Sequence, residues 1–200
     1  MRTFHDTGRA ARRAAWIAAA LSALLLGACS DDDDNERVIT GEALSVLNKV
    51  AQPNRDFVVV DLAKLADADP DNNVVAQGTS DIEGAFRAKV GLDVDSVLVN
   101  FPAVEGEPRT SGLISLIEGN PQRKTLEDFT DIACAAGAGA VGDGSVEASA
   151  MDRTRIANLE LGAQQVLSEQ SVDFNDPDSL GAAVARVREI TNDGDNPPPS

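Results

Sequence analysis

The sequence predicts an α+β protein: a small antiparallel β-sandwich followed by a helical C-terminal unit of about three helices. Two observations carry this. Between residues 37 and 104, short runs rich in β-branched residues alternate with Gly, Pro, Asp and Asn turn clusters, the pattern of half-buried strands joined by turns. From 124 to 192, apolar residues recur at three- and four-residue spacing, which gathers them on one face of a helix. With 42% apolar residues in 200, the chain can bury a core, so global disorder is not expected.

Residues 1–28 read as a secretory leader. Arg2, Arg9, Arg12 and Arg13 supply a positive start, and Ala14 to Leu26 form an apolar run of 13 residues. That run is shorter than the roughly 20 residues a bilayer-spanning helix needs. The Arg12-Arg13 pair is followed by Ala14-Ala15-Trp16, a poor match to a twin-arginine signal, so ordinary secretion is expected. Leu26-Gly27-Ala28-Cys29 resembles the bacterial lipobox, a Leu and two small residues ahead of a Cys. The resemblance implies that Cys29 becomes the first residue of the mature chain, with a diacylglyceryl group on its sulfur and an acylated amine. Several acyl chains, at about 0.8 kcal/mol per buried CH₂, give a stable anchor. Ser30 stands where many proteobacterial lipoproteins carry an inner-membrane retention Asp, so by analogy the outer membrane is the expected destination.

Residues 29–36 include four successive aspartates, Asp31 to Asp34. Like charges packed this densely repel one another, so the segment is expected to be a solvated tether. The whole chain carries a net charge of −16; loss of the leader removes four arginines and one aspartate, leaving 13 basic and 32 acidic residues and a net −19. That balance argues against a nucleic-acid partner, which needs a basic face for phosphates.

In the sheet region the strongest strand is Phe57-Val58-Val59-Val60-Asp61-Leu62. Others are expected around Val38-Ile39, at Val74 to Thr79, at Ala85 to Val90 and at Ser96 to Phe101. In Ala85 to Val90 the alternation puts Phe86 on the face opposite Arg87 and Lys89. Leu44, Val46, Leu47 and Val50 instead suit a helical turn. Val38 and Gly41, with Thr79, Gly84 and Phe86 in a hairpin, resemble the carboxypeptidase regulatory-like domain. That resemblance implies a transthyretin-like sandwich whose Gly turns the chain and whose Phe fills the space between sheets. Domains of this family are accessory or binding modules without catalytic residues of their own.

Residues 105–123, with Pro108 and Pro121, are expected to connect the two parts; Ser111 to Ile117 fits either a short helix or a further strand. The helical region, 124–192, opens on Thr125-Leu126-Glu127-Asp128, which resembles a capping box. Leu126, Phe129, Ala133, Ala136 and Ala140 make its first apolar stripe. A second helix is expected from about Ala148 to Glu169, with Ile156, Leu159, Ala163, Val166 and Leu167 inward. Asp176-Pro177 starts a third, with Asp as cap and Pro in the first turn, and Leu180, Val184, Val187 and Ile190 as its core face. Residues 193–200 should be a disordered tail.

The residues that might carry chemistry have plainer readings. The sole histidine, His5, lies in the leader, which leaves no His-based triad or zinc site after cleavage. If Cys29 is acylated, Cys134 has no disulfide partner; it sits in an apolar stretch and reads as a small buried hydrophobe. Gly137-Ala138-Gly139-Ala140-Val141-Gly142 spells G-x-G-x-x-G, but no strand precedes it and Asp143-Gly144 follow at once. It reads as a helix end whose small residues allow close packing, not as a dinucleotide loop. Asp67, Asp69 and Asp71 alternate as in a calcium loop, yet Asn72 and Gly78 occupy the positions where an EF-hand needs Gly and Glu. A solvated turn is the expected reading. The sheet region offers an aromatic pair, Phe86 and Phe101, and there is no Tyr, a poor supply for sugar stacking. No cofactor, metal or catalytic residue is assigned; the assigned site is the lipidated Cys29.

The expected function is therefore that of a non-enzymatic cell-envelope lipoprotein, bound to the membrane through its lipid and acting as a binding or accessory module for an envelope protein or polysaccharide. The alternative is a small hydrolase of envelope polymers working through paired carboxylates, which need only be close in space.

Overall fold

A computed structural model describes residues 35–65, 73–117 and 123–191. The leader, Cys29, the aspartate run, the Asp67 to Asp71 turn and the proline tail lie outside these residues. Within them the strands are β1 (Glu36–Ala43), β2 (Asp56–Asp61), β3 (Val74–Thr79), β4 (Ala85–Gly91), β5 (Ser96–Phe101), β6 (Thr110–Ser115) and β7 (Lys124–Leu126). The helices α1 (Asp128–Gly142), α2 (Arg153–Glu169) and α3 (Pro177–Thr191) follow. The fold is mixed α+β, two sheets and then three helices, as the sequence predicts.

One sheet has the order β4-β1-β7 and the other β3-β2-β5-β6. The four-stranded sheet is antiparallel throughout. In the three-stranded sheet β1 and β4 are antiparallel, with Gly41 opposite Phe86, while β7 runs parallel to β1, with Gly41 opposite Lys124. The alternation in β4 holds: Phe86, Ala88 and Val90 are buried, and Arg87 and Lys89 are exposed. Phe86 meets Phe57 and Phe101 of the other sheet at ring-centroid distances of 5.6 and 5.7 Å, and those two lie 5.3 Å apart. The inter-sheet plug is thus three rings rather than the Phe86–Phe101 pair alone. Such contacts add to the area term, by about 0.5–1.5 kcal/mol per aromatic pair. Gly84 turns the chain into β4 at φ +80°, a conformation that a Cβ would strain.

The sheet region does not end at residue 104. β6 lies inside the expected connector and closes the four-stranded sheet against β5, while β7 opens the expected helical region. All six residues of β6 are buried. Ile114 packs in the inter-sheet core and Leu113 among the helices, so one face of β6 meets the sandwich and the other meets α1 and α2. The molecule is therefore layered: three-stranded sheet, four-stranded sheet, helices. A strand buried on both faces loses the polar alternation that would mark it, and this is why its sequence fitted helix and strand alike.

Three local readings are corrected. The first helix is capped one step later than Thr125: Glu127 is the cap, and its N–H donates to Thr130 Oγ1 at 2.7 Å. Leu126 is accordingly a strand residue in the inter-sheet core, not the start of the helical stripe. Residues Ala148–Ala150 form a separate 3₁₀ turn, and α2 begins only after Asp152, whose Oδ1 accepts from the Arg155 N–H at 2.7 Å. Asp176 does act at the start of α3, accepting from the Asp178 N–H at 3.1 Å. The segment after β1 makes one α-turn, with the Lys49 N–H on the Ser45 carbonyl at 2.9 Å, inside a loop closed by the Ser45 N–H on the Val50 carbonyl at 2.8 Å.

Candidate functional site

Cys134 stands on α1, fully buried. Burial pushes its thiol up to about 12, with the Asp131 carboxylate adding in the same direction. It is therefore protonated at neutral pH and shut away from solvent, the opposite of what a nucleophilic thiolate requires.

Asp131, one turn earlier, is fully buried. It accepts a hydrogen bond from Ser111 Oγ of β6 at 2.6 Å, and Arg109 Nε lies 3.4 Å from its oxygens. Burial raises its pKa, while the Arg109 charge and the Ser111 hydroxyl pull the other way. Thr130 Oγ1 also reaches the Ser111 carbonyl, at 2.9 Å. These bonds fix the first turn of α1 to β6. Ser111 spends its proton on Asp131 inside the protein, so the pair works as a latch between helix and sheet.

The G-x-G-x-x-G segment falls in the second half of α1. A Cβ at Gly137 would stand 2.6 Å from Leu113 Cδ1 and 3.0 Å from Leu159 Cδ1. The missing side chain lets α1 sit against both β6 and α2, as the packing reading expected, and there is no phosphate-cradling turn between a strand and a helix.

Three clefts open on the surface. The first, of about 370 Å³, lies where β6, the start of β7 and the first turns of α2 meet. Leu113, Ile114 and Ile156 give it apolar walls; Arg123, Lys124 and Arg153 bring positive charge, and Glu160 brings one carboxylate. Glu160 is ion-paired with Lys124, which ties β7 to α2. Arg123 Nη2 lies 3.6 Å from the Glu42 carboxylate, with the Arg123 side chain 64% exposed. The second cleft, about 340 Å³, is acidic, with Asp93, Asp95 and Glu147 at its rim, all exposed. The third, about 470 Å³, is bounded by Thr40, Asp81, Arg87 and again Arg123.

Carboxylates for a hydrolase would be poised by partial burial. Of the described carboxylates, the two buried ones are Asp131, held in the latch, and Asp61. Asp61 Oδ1 caps the 3₁₀ turn that follows β2 by accepting the Ala63 N–H at 3.0 Å. Among the described residues, no group of three or more His, Cys, Asp or Glu is placed to hold a metal ion. Sequence reasoning did not single out the Ser111–Asp131–Arg109 latch or the convergence of three cations. The signals were present: an Asp inside the apolar stripe of α1, and an Arg123-Lys124 doublet in a strongly acidic chain.

The chain matches no family model, and none of the curated proteins compared with it is similar.

Proposed function

We propose that this protein is a lipid-anchored module of the bacterial cell envelope, attached through Cys29 and acting by binding rather than by catalysis. The observation that carries the reading is the order Arg-rich start, 13-residue apolar run, Leu26-Gly27-Ala28-Cys29, followed directly by a compact unit that begins at Asn35. Six residues separate Cys29 from Asn35. Even fully extended, at about 3.3–3.6 Å per residue, they hold the start of the body within about 20 Å of the lipid. No helix among the described residues is long and apolar enough to cross a membrane.

A binding role is supported by what the reactive side chains do. Ser111 and Asp131 are engaged with each other, and Cys134 is a buried thiol. The likeness to a carboxypeptidase regulatory-like sandwich draws support from Gly84 at positive φ and Phe86 between the sheets. The outer membrane is the proposed destination, from Ser30 after the acylated Cys, and an envelope protein or polysaccharide the proposed partner. With a net −19 after cleavage, nucleic acid is not proposed.

Metabolic labelling with a palmitate analogue tests the anchor. The parent chain takes up label and sediments with membranes. Cys29→Ala takes up none and is either released or left as an unprocessed precursor. Normal labelling of that variant sinks the proposal.

A further inference from the structure

The first cleft is where this chain departs most from its own charge. Three of the 13 cationic side chains that follow the leader, Arg123, Lys124 and Arg153, line one cavity of about 370 Å³ in a chain with 32 acidic residues over the same span. One carboxylate, Glu160, shares that cavity, and it is ion-paired with Lys124. The cleft therefore carries a net positive charge. Arg153 is the first residue of α2, so the positive end of a 17-residue helix adds to the same field. Ile156 and Ala157 stand beside these groups. The volume is at the small end of the roughly 300–1,000 Å³ typical of ligand pockets, which suits a monomer-sized ligand rather than a polymer strand.

We infer that this cleft binds a small amphipathic anion: a phosphate or carboxylate group set on the guanidinium groups of Arg123 and Arg153, with a short apolar stem along Ile156 and Ala157. Two arginines can each offer a planar fork to such a group, which is why arginine recurs wherever anions are held bidentately. Lys124 has a different part. Paired with Glu160 it braces β7 against α2 and keeps the two arginines across from each other. This inference rests on the reading of the body as a binding module but not on the lipid: a failure of acyl labelling at Cys29 leaves the titration described next unchanged.

The test uses the full chain in phosphatidylcholine nanodiscs and titration calorimetry. The probes are hexyl phosphate and hexanoate, with hexanol and inorganic phosphate as the stem and the head alone. Both anionic probes are expected to bind saturably, one per chain, and each half-probe about tenfold or more weaker. Arg123→Gln and Arg153→Gln should each weaken binding by about tenfold, the effect of losing one charge-assisted contact. Arg186→Gln, on the exposed side of α3, should change nothing. Ala157→Phe, at an exposed helical position, should block the cleft without altering its charge, so loss of binding in a variant with unchanged melting supports the site independently of the arginines. Repeating the titration in discs containing phosphatidylglycerol separates the sources of the anion. Weaker probe binding there shows that a lipid headgroup occupies the cleft, and equal binding shows a free ligand site. Hexanol binding as tightly as the anions, undiminished binding by the Arg123→Gln/Arg153→Gln double variant, or no saturable heat with either anion at about 10 mM overturns the inference.

Discussion

At the scale of single residues the folded state depends on a few side chains whose surroundings oppose their usual chemistry. Asp131 is the clearest. Burial raises its pKa above the unfolded value, so between the two values the folded protein holds a proton that the unfolded chain has released. Stability contributed through this group is present at low pH and falls as pH rises through that interval. Asp131→Asn keeps the size and the Ser111 partner without the charge, so the stability difference, parent minus variant, should fall as pH rises from about 4 upward. Denaturant melts at several pH values measure it; a difference that grows with pH contradicts the account. Cys134, held as a thiol by burial, should resist iodoacetamide at neutral pH and react only at the rate the protein opens. Prompt labelling of the native protein would place it on the surface instead. Phe86→Ala should open a cavity among three rings and cost about 3–5 kcal/mol, whereas Arg87→Ala, next in sequence and on the solvent face, should cost about 0.5 kcal/mol or less. Equal melting temperatures for these two variants would contradict the register of β4.

At the scale of elements, the parts legible in the sequence are those whose pattern answers to one neighbour. β4 alternates because one face meets the core and the other meets water. α2 and α3 show single stripes ending in Val166 and Val187, and Asp152 and Asp176 cap them. β6 was ambiguous because sheet and helices cover both faces. β7 was invisible because three residues carry no period; its place is set by Leu126 in the core and by its contact with β1. The lining of the first cleft comes from β6, β7 and α2, separated by up to 47 residues between Leu113 and Glu160, and only the tertiary fold brings them together. The β1–β7 contact makes a sharp prediction. A Cβ at Gly41 would lie 2.2 Å from the Lys124 carbonyl oxygen and 2.3 Å from Phe86 Cζ. Gly41→Ala must push aside both β7 and a core ring, at a cost of about 1–3 kcal/mol. Amide exchange should quicken first at Lys124 to Leu126. Unaltered protection there, with unchanged stability, would show that β7 does not pack against β1 as described.

At the scale of the whole molecule the dominant quantity is charge. A net −16, or −19 once the leader is gone, makes the compact state repel itself more than the unfolded chain does. Opposing this are ion pairs such as Lys49 with Glu127 and Asp128, and Arg188 with Asp143. These are partly exposed and each contributes about 0–1 kcal/mol. Salt weakens both terms, but the repulsion is summed over many more charges and reaches further: the screening length is about 30 Å at 0.01 M salt and about 8 Å at 0.15 M. Stability should therefore rise between those concentrations, by about 2–4 °C in Tm for each kcal/mol of repulsion removed. A fall in Tm over that range would mean that the ion pairs outweigh the net charge. Calcium then separates a site from a diffuse atmosphere. The acidic turn at Asp67, Asp69 and Asp71 and the run at Asp31 to Asp34 attract divalent ions through charge density alone, an attraction that about 0.15 M salt largely screens. A specific micromolar site in the folded state would add about 4 kcal/mol at millimolar calcium, a shift of about 8–16 °C at the same conversion. The expected result at physiological salt is a shift of no more than about one degree, unaffected by Asp69→Ala. A shift of many degrees that vanishes in Asp69→Ala would show that the turn gathers its carboxylates around one ion, and would make calcium part of how this module binds.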